Sequence, residues 1–86
     1  MNKRQYVINL ALSLYHSGQV MSGRDLALNL NNNGFQTNYG TPYTGTRGTY
    51  TLIRSIYHWL VSLGNQNDAD IIAETFIKPD GTYAYE

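Results

Sequence analysis

The sequence predicts a mainly α domain of four helices closed by a C-terminal β-hairpin, with residues 1–86 forming a single domain. Three observations predict it. Apolar residues recur at helical spacing in separated stretches. Gly18, Gly34 and Gly64 follow three of those stretches, where a left-handed residue commonly ends a helix. The tail from about residue 76 to residue 85 instead alternates, with Pro79-Asp80-Gly81 as turn chemistry in its middle.

The first helix is expected from about Lys3 to Ser17. Val7, Leu10, Ala11 and Leu14 fall at i, i+3, i+4 and i+7, a single apolar face. The second begins after Ser22, because Ser22-Gly23-Arg24-Asp25 has the spacing of a capping box. Leu26, Ala27 and Leu30 would be its buried side, and Asn33-Gly34 its end. Between Phe35 and Tyr43 the chain is polar and punctuated by Tyr39-Gly40 and Thr41-Pro42. Thr41 is steered away from helical backbone by the proline after it. The third and longest helix is expected from an N-cap at Thr44 or Thr46 to about Leu63. Tyr50, Ile53, Tyr57, Leu60 and Val61 would share one face, widened by Leu52, Ile56 and Trp59. Gly45 and Gly48 are poor helix formers, so the opening of this helix either frays or approaches another backbone closely. Asn67 would cap a fourth helix from Asp68, with Ala69, Ile72, Ala73 and Phe76 on its apolar face.

Composition sets the class. An apolar fraction of 42% with eight Tyr fits a folded chain rather than a disordered one. No Cys is present, which excludes disulfides and thiolate metal sites. Only His16 and His58 are available for a His-based site, so no metal and no cofactor is expected. Lys3 and Arg4 ahead of an apolar run have the outline of a secretory leader. Gln5, Asn9, Tyr15 and His16 break that run, and no small-residue cleavage site follows. No stretch has the roughly 18 consecutive apolar residues that suggest a membrane span. The expectation is a cytoplasmic protein.

Formal charge is zero overall but uneven. From Met1 to Leu60, Lys3, Arg4, Arg24, Arg47 and Arg54 stand against Asp25 alone, a net of +4. From Val61 to Glu86, Lys78 stands against Asp68, Asp70, Glu74, Asp80 and Glu86, a net of −4. Such asymmetry suits a chain with one face toward an anion.

Helix, short turn, helix, shaped connection and long helix is the order of a helix-turn-helix unit. The hairpin would then be a wing or a lid over the core, giving a winged-helix-like domain. Thr44, Thr46, Arg47, Thr49, Thr51 and Arg54 cluster at the start of the long helix. Arg reads guanine edges or pairs with phosphate, and Thr hydroxyls reach both. The expected contacts to double-stranded DNA are Thr46, Arg47, Thr49, Tyr50 and Arg54 in the groove, with Lys3, Arg4 and Arg24 on phosphates.

The segment Leu26-Ala27-x-x-Leu30-Asn31-x-x-Gly34-x-x-Thr37-x-x-Gly40-x-x-Tyr43 resembles part of the large serine recombinases. Their pattern is aliphatic-Ala-x-x-Leu-Asn-x-x-Gly-x-x-Thr-x-x-Gly-x-x-aromatic, followed by a Thr/Ser-rich helix start. In that family the segment belongs to a DNA-binding recombinase domain. The resemblance implies a helix-turn-helix protein with a regulatory role, such as transcription regulation, or an accessory role, of a kind found in prophages. It implies no nucleophilic serine, because nothing here resembles the resolvase catalytic domain. Tyr43 stands where Trp is common in the family. Each matched residue also has a local task. Leu26, Ala27 and Leu30 dock the second helix, Asn31 bonds nearby backbone and Gly34 caps. Thr37 and Gly40 shape the connection, and Tyr43 anchors the next helix.

Other chemistry is weaker. The glycines around Gly45 lack the spacing and the Lys of a phosphate-binding loop. Asp70 and Glu74 share a helix face, but capping explains the aspartates more simply. No enzyme is expected. The aromatic residues support a second reading, a protein-interaction module on the same scaffold that does not bind DNA. Tyr57, Trp59, Tyr83 and Tyr85 would form its interface with a second copy or a protein partner.

Overall fold

The computed structural model describes residues 2–76 and 81. Four helices, α1 (Lys3–His16), α2 (Gly23–Asn32), α3 (Arg47–Ser62) and α4 (Gln66–Thr75), follow in order. The domain is mainly α, and no strand occurs among the described residues. The hairpin expected at about residues 76–85, with Tyr83 and Tyr85, falls almost wholly outside the described residues.

Local chemistry sets the helix ends. Asn2 caps α1 by accepting from the Gln5 amide at 2.8 Å. Ser22 caps α2 by accepting from the Asp25 amide at 3.1 Å. At the other end of α2, Gly34 takes φ 79°. The Gly34 amide donates to Asn31 and the Phe35 amide to Leu30, so the last carbonyls are satisfied. The same pair of bonds closes α1 beyond Gly18 and α3 beyond Gly64. The fourth helix starts earlier than its sequence suggests. Asn65, not Asn67, is the cap, accepting from the Asp68 amide at 3.2 Å. The turn at Gly64 brings the Asn65 side chain to the helix entrance, where it bonds Asp68.

Helix α3 is central, packing against α4 and α2, while α1 packs against α4. The core combines Val7, Ile8 and Ala11 from α1, Leu26, Ala27 and Leu30 from α2, and Ile53, Ile56 and Leu60 from α3. Ala69 and Ile72 from α4, with Phe76 just beyond it and Tyr43 from the connection, complete it. Burying an aliphatic or aromatic side chain of this kind stabilises by about 1.5–3 kcal/mol. The α2 and α4 faces are those their periodicity predicts. The face of α1 is rotated. Ile8 rather than Leu10 is buried in α1, because that helix is apolar on several sides and packing chooses among them. In α3, Ile53, Ile56 and Leu60 are buried as expected, but Val61 is exposed and Thr49 takes a buried place instead.

The connection over residues 33–46 is pinned rather than slack. The Asn31 side chain donates to the Tyr43 carbonyl at 2.9 Å and accepts from the Tyr43 amide at 2.8 Å. Thus α2 holds the chain that leads into α3. The Tyr43 ring is buried and lies against Gly48, where an added Cβ would stand 3.3 Å from it. Gly48 thus admits a ring rather than another backbone. Phe35 packs on Tyr6 of α1 with ring centroids 4.9 Å apart, and the Tyr6 hydroxyl bonds the Asn29 side chain. The α1–α2 loop is tied differently, by the Met21 amide donating to the Thr75 carbonyl at 2.9 Å.

Candidate nucleic-acid interface

Helix α3 divides into two faces because its polar and apolar residues repeat at three and four positions. Thr49, Ile53, Ile56 and Leu60 point inward and are buried. Arg47, Thr51, Arg54 and His58 fall at i, i+4, i+7 and i+11, and all four are exposed. The Thr51 hydroxyl bonds the Arg47 carbonyl at 2.9 Å, which anchors it one turn along that face. Arg47–Ser62 contains no acidic residue. The acids Asp68, Asp70 and Glu74 lie on α4, which meets α3 through the core. Asp68 accepts from the Asn65 side chain at 3.0 Å and Asp70 from the Gln66 side chain at 2.8 Å.

The expected site residues separate into groups. Arg47 and Arg54 stand together on the outer face of α3. Thr49 does not. It is fully buried and its hydroxyl donates to the Thr46 carbonyl at 2.8 Å, so it cannot approach a groove. Tyr50 is half-buried, its hydroxyl accepts from the Gly23 amide at 3.3 Å, and its ring fills the space beside Gly23. It holds α2 on α3 instead of reaching outward. Thr46 is the N-cap residue of α3, but its side chain makes no capping bond. Helical spacing carries this sorting: Thr49 is four residues before Ile53, and Thr51 four after Arg47. Thr51 therefore belongs with the arginines, ahead of Thr49 and Tyr50.

From the start of α1, Lys3 reaches the connection and Arg4 reaches α3. Lys3 Nζ donates to the Gln36 carbonyl at 2.7 Å and lies 5.2 Å from the Tyr43 ring centroid. The Arg4 guanidinium sits over Trp59, 4.1 Å from its ring centroid. A stacked guanidinium keeps its in-plane N–H edge for an anion. Arg24 is exposed in the first turn of α2, next to the Gly23 contact with Tyr50. Tyr57 and Trp59, expected at an interface, are each half-buried against the core, and Gln66 donates to the Tyr57 hydroxyl at 3.5 Å.

Between the connection, α1 and α3 lies a depression of about 600 Å³. Lys3, Tyr39, Tyr43, Arg47, Thr51 and Ser55 are among its walls. It therefore adjoins the outer face of α3 and shares Arg47 and Thr51 with it. Among the described residues, no three His, Asp or Glu side chains converge as they would around a metal ion. No described helix is long and apolar enough to cross a membrane.

Comparison with family models, curated proteins and solved structures finds no significant match to this chain.

Proposed function

We propose that this chain is a small cytoplasmic DNA-binding protein with a regulatory or accessory role. It lays the outer face of α3 against a duplex and performs no catalysis. The observation that carries this reading is the row Arg47, Thr51 and Arg54, exposed at one-turn intervals on a helix without an acid. Arg47 and Arg54 would meet base edges or phosphates, and the Thr51 hydroxyl, whose proton goes to the Arg47 carbonyl, would act there only as an acceptor. Lys3 and Arg4 flank the row from α1 and would neutralise phosphates. Arg24 would do the same from α2.

The likeness of Leu26–Tyr43 to a recombinase DNA-binding segment supports the same reading. So does the way that segment is built, with Asn31 setting the entry of α3. On this reading α1, α2 and α3 make a helix-turn-helix-like scaffold. The Pro79-Asp80-Gly81 turn signal, on sequence alone, would supply a hairpin wing.

The test is a fluorescence-anisotropy titration of random duplex DNA at about 50 and about 200 mM salt. If Lys3, Arg4, Arg24, Arg47 and Arg54 each neutralise a phosphate, affinity falls roughly five-hundredfold between those conditions. Absence of binding at the lower salt sinks the reading. The protein-interaction module on the same scaffold would then take its place. That second reading ranks lower because, among the described residues, the exposed large apolar side chains Tyr15, Val20, Leu28, Tyr39, Val61 and Leu63 are spread over different elements, with only Val61 and Leu63 near each other in the chain.

A further inference from the structure

The loop over Thr37–Thr41 is tightly built around a ring that it leaves in water. The Thr37 amide donates to the Thr41 carbonyl at 2.8 Å, and the Gly40 amide to the Thr37 carbonyl at 2.9 Å. The Thr37 hydroxyl accepts from the Tyr39 amide at 3.3 Å and the Thr41 amide at 3.4 Å. It also shares a hydrogen bond with the Thr41 hydroxyl at 2.8 Å. Gly40 supplies the left-handed backbone, φ 77°, that the turn requires. Tyr39 stands at the tip, 94% exposed. Its backbone is therefore held in place while its ring makes little contact within the chain.

What lies beside that ring selects a ligand. Tyr39 lines the same depression as Lys3 and Arg47, with Thr51 and Ser55 on its α3 wall. A depression lined by an exposed tyrosine together with cations and hydroxyls matches a flat aromatic base joined to a phosphate. A volume of about 600 Å³ falls within the roughly 300–1,000 Å³ range of small-ligand sites. A paired base inside a duplex presents only its edge, so its face is out of reach of such a ring.

We infer that this depression is a site for an unpaired nucleotide, with its base stacked on Tyr39 and its phosphate held by Arg47 and Lys3. The inference rests on the proposed DNA reading for its setting, and it adds a preference that α3 alone would not create. Duplex bound along α3 would offer the depression a base freed at an end, a nick or a bulge. The pinned loop limits the ordering cost on the protein side.

The experiment compares a blunt linear DNA duplex with the same duplex carrying one unpaired 3′ adenine, by anisotropy. In parallel, free deoxyadenosine monophosphate is titrated into 15N-labelled protein. The overhang should bind about tenfold more tightly than the blunt form. Tyr39→Ala should erase that preference while leaving blunt-duplex affinity and the melting temperature unchanged, and Tyr39→Trp should retain it. Equal affinity for both duplexes, or a preference that survives Tyr39→Ala, overturns the inference and leaves the duplex reading standing. If neither duplex binds, but the mononucleotide shifts the Tyr39 and Arg47 amide resonances, the duplex reading falls and the site takes free nucleotide. No response to any of the three probes overturns both.

Discussion

The two faces of α3 differ in what their residues answer to. On the inner face, Thr49, Ile53, Ile56 and Leu60 are buried, and each is constrained by neighbours on other elements. On the outer face, Arg47, Thr51, Arg54 and His58 stand in water and are constrained mainly by the helix itself. The inner face is therefore where substitution should cost stability, and the outer face where it should cost only function. Tyr50 lies between the two, and its contact with Gly23 assigns it to the inner set.

Ile53→Ala should break the inner face most severely. It removes a fully buried side chain at the meeting of several helices, and should cost about 2–5 kcal/mol. Urea denaturation would measure this; a loss below about 1 kcal/mol would mean that the core is centred elsewhere. Gly23→Ala comes next. The new Cβ would stand 2.7 Å from Tyr50 Cζ, so either the ring or α2 must move, at about 1–3 kcal/mol. The cost should shrink when Tyr50 is also replaced by Ala, and a double-mutant cycle reads that coupling directly. Additive costs would show that the contact is not the cause.

Asn31→Ala should follow closely. It removes both bonds to the Tyr43 backbone, and should cost about 1–3 kcal/mol. Amide exchange at Tyr43 should quicken with it, whereas unchanged exchange there would refute the clamp. The smallest effect on stability belongs to the double substitution Arg47→Ala and Arg54→Ala, expected within about 0.5 kcal/mol by thermal melting. The same protein should lose duplex affinity about tenfold or more and show a shallower salt slope by roughly two phosphates. Full affinity in that variant would place the DNA contacts off α3.

Much of this sorting is legible in the order and spacing of the residues. Ser22 as a cap, Gly34 as a helix end and Leu26, Ala27 and Leu30 as the buried side of α2 all follow from local spacing. The outer row of α3 follows from the same rule, since Arg47, Thr51 and Arg54 are four and three residues apart. Thr49 and Tyr50 mislead because they adjoin the arginines in sequence, whereas a helix separates neighbours by about 100°. Asn67 misleads because Asn65, which the turn beyond Gly64 delivers to the helix entrance, is an equally good capping residue.

The sequence by itself therefore determined the helices and most of their ends, the capping of α2, and the cation-bearing, acid-free surface of α3. These depend on contacts within three or four residues, which the chain encodes locally. Only the tertiary structure decided which side of α1 faces inward, that Gly23 makes room for Tyr50, and that Asn31 clamps Tyr43. It alone brought Lys3, Tyr39 and Arg47 around one depression. Those outcomes join residues far apart in the chain, and they depend on which packing of several apolar faces excludes most water. That is a property of the helices together and of none of them alone.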